Sequence, residues 1–298
     1  MESNALTAVL LPIALAIVML GLGLTLVIED FRRVVVYPKA VLVGLVCQTV
    51  LLPLVCFTIA KGFGLAPELA VGLMLLAASP GGATANLFSH LAKGDVALNI
   101  TLTAVNSVLS LLSLPLIVGL AMEAFMGAGQ AIPMQPSKVL QVFAIVLIPV
   151  GIGMAIRAKA PGFAQRSAKA VRILSALVLF LVIAGAVLKE KANMADFFRQ
   201  VGIPALIFNL ASMAVGYFVP RLLRIDERQA IAIGMEIGIH NGTLAIAIAG
   251  PTLLNNSTMA IPPAIYSLIM FFTAAAFGWL VNRRKAVAPE QQAVSTSG

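Results

Sequence analysis

The sequence predicts an all-α integral membrane protein of about nine transmembrane helices. Three observations carry that prediction. The 298 residues are 60% hydrophobic and 11% charged, with a mean hydropathy of +1.01. A soluble domain of this size cannot bury so much apolar surface, so the natural solvent is a lipid bilayer. The apolar residues also fall into nine runs of about 20 residues, the length that crosses a bilayer. Finally, the 20 Lys and Arg residues are sorted. With nine spans, fifteen of them fall in loops on the carboxy-terminal side and five on the other. The positive-inside rule then puts the N-terminus outside and the C-terminus in the cytoplasm of a multi-pass cell (inner) membrane protein. An even number of spans scrambles the sorting.

The runs lie at about 6–28, 39–60, 66–92, 95–122, 138–156, 171–188, 200–222, 229–250 and 261–282. The first has no basic residues before it and reads as a retained helix rather than a signal peptide. The second contains Cys47, Gln48 and Cys56. Nine residues apart on one helix, the cysteines are too distant to bond to each other and read as packing. Residues 1–286 form a single membrane domain, divided near its middle by the basic linker Arg157–Arg172. The polar stretch 287–298 (VAPEQQAVSTSG) reads as a disordered cytoplasmic tail. The basic balance sits in membrane loops, so nucleic acid is not an expected partner.

The third and eighth runs are interrupted, by SPGGATANLFSH (79–90) and EIGIHNGTLA (236–245). Proline and glycine at membrane depth break helices, and freed backbone groups are tolerated only inside protein or beside a water-filled cavity. The breaks are five spans apart, so the two segments run in opposite directions. Paired broken helices in inverted repeats mark the binding site of many secondary transporters. A half-helix that starts after a break aims N–H groups at an anion. One that ends at a break aims carbonyl oxygens at a cation.

Eleven of the twelve acidic residues fall in loops, tails or segment ends; Glu236 is the exception. A charge near mid-membrane costs several kcal/mol, about 3 or more, unless partnered. One reading is a protonated structural carboxyl; the functional reading supplies a cation. Asn99 and Thr103 lie one turn apart on the fourth run and share a face. With Asn106, Ser107, Thr84 and Asn86 they are neutral oxygen donors. One carboxylate among neutral donors suits a monovalent ion such as Na⁺ better than Ca²⁺ or Mg²⁺. Interhelical hydrogen bonding is the competing reading for Asn99 and Thr103, and for Gln48. His240, four residues after Glu236, reads as a proton-sensitive group, a second-site ligand, or an imidazole bonded to backbone at the break. No nucleotide-binding loop, catalytic triad or metal-ligand cluster is present in the sequence, so an enzyme is not expected.

The motifs PGG-x-x-x-N (Pro80, Gly81, Gly82, Asn86) and E-x-G-x-x-N (Glu236, Gly238, Asn241) resemble those of the bile acid:sodium symporter family, and the likeness runs from Gly21 through Trp279. The resemblance implies two inverted repeats, a core domain in which the broken helices cross, a panel domain, and alternating access. It implies symport of Na⁺ with an organic anion, either bile-acid-like or a small keto or hydroxy monocarboxylate. The implied first sodium site is Asn86, Asn99, Thr103 and Glu236. The second is Gln48, Glu236 and the carbonyls of Ile237 and Ile239, with His240 where relatives carry glutamine. Ala85 stands where relatives carry serine, which removes an oxygen from the first site. The substrate contacts implied are Ala83, Thr84, Ala85 and Asn86 on one half-helix, and Asn241, Gly242 and Thr243 on the other. A proton-coupled carrier using Glu236 and His240 is the alternative.

Overall fold

The structure is a computed structural model and describes residues 5–127, 136–167, 170–171, 173–174, 177, 181, 194–252 and 254–295. Among these, every regular element is helical, and the only extended pairing is one isolated bridge. Most of the expected sixth run, 171–188, lies outside the described residues.

Helix α1 (Ala5–Gly23) turns by 75° into the segment that begins with α2 (Ile28–Arg32). Asp30 holds the turn: its Oδ2 accepts from the Val27 N–H at 2.8 Å and its Oδ1 pairs with Arg33. Helix α3 spans Pro38–Gly62 and contains one π-turn at Cys47–Leu51. Pro53 has no N–H for the carbonyl of Thr49, and Leu52 N–H reaches back five residues to Cys47 O. The widened turn carries Gln48.

The third run is indeed split, into α4 (Pro67–Ala78) and α5 (Ala83–Leu91). Proline forces its predecessor out of helical geometry, and Ser79 before Pro80 is extended (φ −75°, ψ 147°). Helix α6 (Val96–Met126) is capped by Asp95, which accepts from Leu98 N–H at 3.0 Å. Helices α7 (Pro136–Lys159) and α8 (Met194–Leu222) follow. The eighth run is split into α9 (Glu227–Gly238) and α10 (Gly242–Ala247), and α11 (Ile261–Ser295) closes the chain. It continues past Val287 and through Pro289, over the stretch where a disordered tail is expected.

Among the described residues four helices are long and apolar enough to cross a membrane: Pro38–Gly62, Val96–Met126, Ala195–Leu222 and Thr258–Arg283. The bent pair at the N-terminus makes a fifth. Their apolar faces point outward. Leu42, Val46, Val50 and Leu54 form one exposed stripe on α3, and Val108, Leu112, Leu116 and Leu120 another on α6. The interior meanwhile holds Asn99, Thr103, Asn209, Ser212 and Glu236 at 0% exposure. Apolar outside and polar inside is the arrangement of a protein immersed in lipid.

Helix α1 packs on α7, α4 on α6, and α8 on both α9 and α11. Close crossings rest on small residues. A Cβ on Gly216 of α8 would lie 2.7 Å from Gly234 Cα of α9, and one on Gly72 of α4 would strike the carbonyl of Met259.

Candidate functional site

The two breaks meet. Gly81 and His240 form the isolated antiparallel bridge, so the chain segments cross in opposite directions. Gly82 N–H donates to Ile239 O at 2.7 Å, and Asn241 N–H donates to Pro80 O at 2.9 Å. Each break therefore satisfies backbone groups of the other, which is how unwound backbone persists in a buried place. The pairing also redirects a donor. In a continuing helix the Asn241 N–H would bond to Ile237 O, but here it serves Pro80 O.

Glu236, fully buried, lies against Gly81. A Cβ at residue 81 would overlap its carboxylate oxygens, so any larger residue there would displace the carboxylate from this position. Thr103 Oγ1 stands 2.6 Å from Glu236 Oε2 and 3.0 Å from Asn99 O. Its one hydroxyl proton serves the carboxylate or the carbonyl. Asn99 donates through Nδ2 to Ala232 O, one turn before Glu236, at 2.7 Å. Helix α6 is thus tied to α9 by two expected site residues on one face. Asn106, on the same helix, is also buried; its Nδ2 makes no well-aligned hydrogen bond but its amide lies near the Glu236 carboxylate.

Gln48 reaches the other break. Its Nε2 donates to Ala77 O at 3.2 Å and Ser79 O at 2.9 Å, capping the carbonyl end of α4. The amide bridges helices, as one reading of it expects, but Oε1 is left over. Four buried side-chain oxygens around the crossing lack a well-aligned hydrogen bond among the described residues: Gln48 Oε1, Asn86 Oδ1, Asn99 Oδ1 and Glu236 Oε1; the Asn106 amide and the Gly81 N–H nonetheless lie near enough to the Glu236 carboxylate to stabilise it. All four belong to residues singled out in the sequence. An unpaired buried acceptor costs about 1–3 kcal/mol, so a group that offers donors or positive charge at this place would offset that cost.

The remaining expected residues lie on the same two breaks. Ala83 starts α5, Thr84 and Asn86 are half-buried, and Ala85 is fully buried and has no side-chain oxygen. Asn241 caps α10, its Oδ1 accepting from Leu244 N–H at 3.0 Å. Gly242 packs against Ser267, and Thr243 is buried. Of the two expected carbonyl ligands, that of Ile239 already accepts the Gly82 N–H, which leaves Ile237 O the freer of the pair.

Sequence reasoning missed the residues behind the second break. Asn209 Nδ2 and Tyr266 Oη both donate to Gly238 O, each at 2.9 Å. Thr273 donates to Asn209 Oδ1, and Tyr266 Oη lies 3.1 Å from His240 Nδ1. The available signal was Asn209 itself, a lone amide in the apolar run IFNLASM.

The sequence model of the Sodium Bile acid symporter family matches residues 12–197. The chain is 30% identical over 260 residues to an uncharacterized sodium-dependent transporter of Bacillus subtilis, YocS, covering 86% of this chain and 78% of that one. A probable chloroplastic sodium/metabolite cotransporter of Oryza sativa, BASS2, is 28% identical over 262 residues, 88% of this chain and 61% of the rice protein. The ileal sodium/bile acid cotransporter of Oryctolagus cuniculus is 26% identical over 286 residues, 95% and 82% of the two chains. The protein therefore belongs to the sodium bile acid symporter family, whose members are membrane transporters and not enzymes.

Proposed function

We propose that the protein is a sodium-coupled symporter that carries an organic anion across the cell membrane by alternating access. The observation that carries this reading is the set of buried oxygens on Gln48, Asn86, Asn99 and Glu236 around the crossing that lack a well-aligned hydrogen bond among the described residues. Asn86, Asn99, Thr103 and Glu236 hold the first Na⁺. Gln48, Glu236, Ile237 O and His240 hold the second, with Ile239 O sharing its Gly82 bond. Both ions are cargo, and Glu236 is common to the two positions. Neutral donors around one carboxylate match a monovalent ion.

The organic anion sits across the crossing from the ions, at the half-helix starts Ala83–Asn86 and Asn241–Thr243. It is bile-acid-like or a small keto or hydroxy monocarboxylate. The relatives' names give a bile acid for the rabbit protein and a metabolite for the rice protein. Filling the ion positions holds α4–α5 and α9–α10 together, which preorders the anion site. Coupling is reciprocal, so the anion tightens Na⁺ by the same factor. The architecture is nine spans in two inverted repeats, a core around the crossing and a panel beside it, with the N-terminus outside. The antiparallel direction of the two breaks supports the inversion.

The test is thermal stability of the purified protein titrated with Na⁺, with K⁺ as control, in wild type and Glu236→Gln. Sodium-specific stabilisation that disappears in the variant is expected. No ion preference, together with uptake driven by a proton gradient in proteoliposomes, transfers the role to proton coupling through Glu236 and His240.

A further inference from the structure

Three rings stack behind the second break. His240 packs edge-on against Tyr266, with centroids 5.3 Å apart and planes at 87°. Phe208 lies 5.7 Å from each of them. Tyr266 and Phe208 are fully buried, and His240 is 1% exposed. The ring therefore has one place to sit, and the proton on it can be located by counting.

Tyr266 Oη stands 2.9 Å from Gly238 O and 3.1 Å from His240 Nδ1. A carbonyl oxygen only accepts. Two oxygens 2.9 Å apart with no proton between them repel, so the single hydroxyl proton of Tyr266 lies toward Gly238 O. Nδ1 must then supply the proton of its own bond to Oη. In a neutral imidazole that leaves Nε2 as a lone pair. Nε2 is buried and has no partner among the described residues. The opposite tautomer would require the Tyr266 hydroxyl proton to turn to Nδ1, leaving Oη and Gly238 O 2.9 Å apart with no proton of Tyr266 between them.

We propose that Tyr266 is a positioning residue: it pins His240 as the Nδ1–H tautomer, so that Nε2 serves as a neutral nitrogen ligand to the second cation. This rests on the sodium reading above. It means that a histidine at this position completes a cation site only with the tyrosine behind it. Tyr266, on α11, never touches the ion. Asn209 supports it from α8 by sharing Gly238 O.

The chain has two histidines, His90 and His240, so ¹⁵N-histidine labelling with His90→Gln for assignment reads the tautomer directly. The expected spectrum has a protonated Nδ1, an unprotonated Nε2, and an Nε2 signal that moves with Na⁺ but not with K⁺. In Tyr266→Phe the tautomer preference is lost and the sodium midpoint of thermal stabilisation rises about tenfold. In a His240→Gln background the same tyrosine change shifts that midpoint less than about twofold, because an amide has no tautomer to pin. A protonated Nε2 in wild type, or an equal effect of Tyr266→Phe in both backgrounds, overturns the proposal and makes the tyrosine merely structural. An Nε2 signal indifferent to Na⁺ in a protein that Na⁺ still stabilises removes His240 as a ligand but leaves symport standing. Absence of any sodium response sinks the sodium reading and the ligand role with it, while the tautomer is judged by the spectrum alone.

Discussion

Between Ser79 and Gly82 the chain carries a proline and two glycines in four residues; between Ile239 and Asn241 it carries neither. The first break is made by backbone chemistry. Pro80 removes a donor and extends Ser79, and Gly81 and Gly82 let the other strand come close. One side chain, Gln48, ties off the carbonyl end. The second break is held by side chains. Asn241 caps the outgoing helix, Asn209 and Tyr266 take up Gly238 O, and His240 leans on Tyr266. It also brings the only acidic residue at the crossing, which fits because the first break offers a glycine for it to lie against. One break makes room, and the other brings the chemistry.

That division can be broken, most forcefully at Glu236. In Glu236→Ala, sodium-driven uptake in proteoliposomes should fall to background while the protein remains in the membrane fraction. Uptake near wild type would remove the carboxylate from the mechanism. The complementary change is Gly81→Ala. Its methyl overlaps the carboxylate, so the sodium midpoint in a thermal-shift titration should rise about tenfold, the scale of overpacking. Gly82→Ala is the milder change for comparison, since its nearest foreign atom, the backbone oxygen of His240, lies 3.3 Å away and need give by only a few tenths of an ångström. A larger effect at 82 than at 81 would undo the account of the first break.

Smaller effects sharpen the comparison. Asn241→Ala removes the cap of α10 and should cost about 1 kcal/mol of stability in the absence of sodium. Denaturation in sodium-free detergent measures it, and an unchanged midpoint would mean that crossing contacts alone hold α10. Ala85→Ser restores an oxygen at the first break and should tighten sodium roughly threefold, the net worth of one modest polar contact. Titration of the sodium midpoint decides it, and weaker binding would show that the hydroxyl does not fit beside the ion.

The expected run 66–92 became α4 and α5, and 229–250 became α9 and α10, with breaks at Pro80 and after Gly238 as the residues foretold. These features were legible because hydropathy, proline geometry and glycine are local properties of the chain. Glu236 was legible because a lone acid in an apolar run is costly wherever it lies. Asn209, Tyr266 and Thr273 were not, because a polar residue in a helix says nothing by itself about which neighbour it will meet.

The amino-acid order by itself therefore determined the bilayer as solvent, the places where helices had to break, and the residues too polar to be there without purpose. Only the tertiary structure decided that the two breaks pair backbone to backbone, that Gly81 is the seat of Glu236, and that Gln48 spends its N–H₂ on carbonyls and keeps its oxygen. The physical reason is range. Backbone sterics and transfer free energies act within a few residues, whereas a hydrogen bond between Thr103 and Glu236, 133 positions apart, exists only after the helices that carry them have packed.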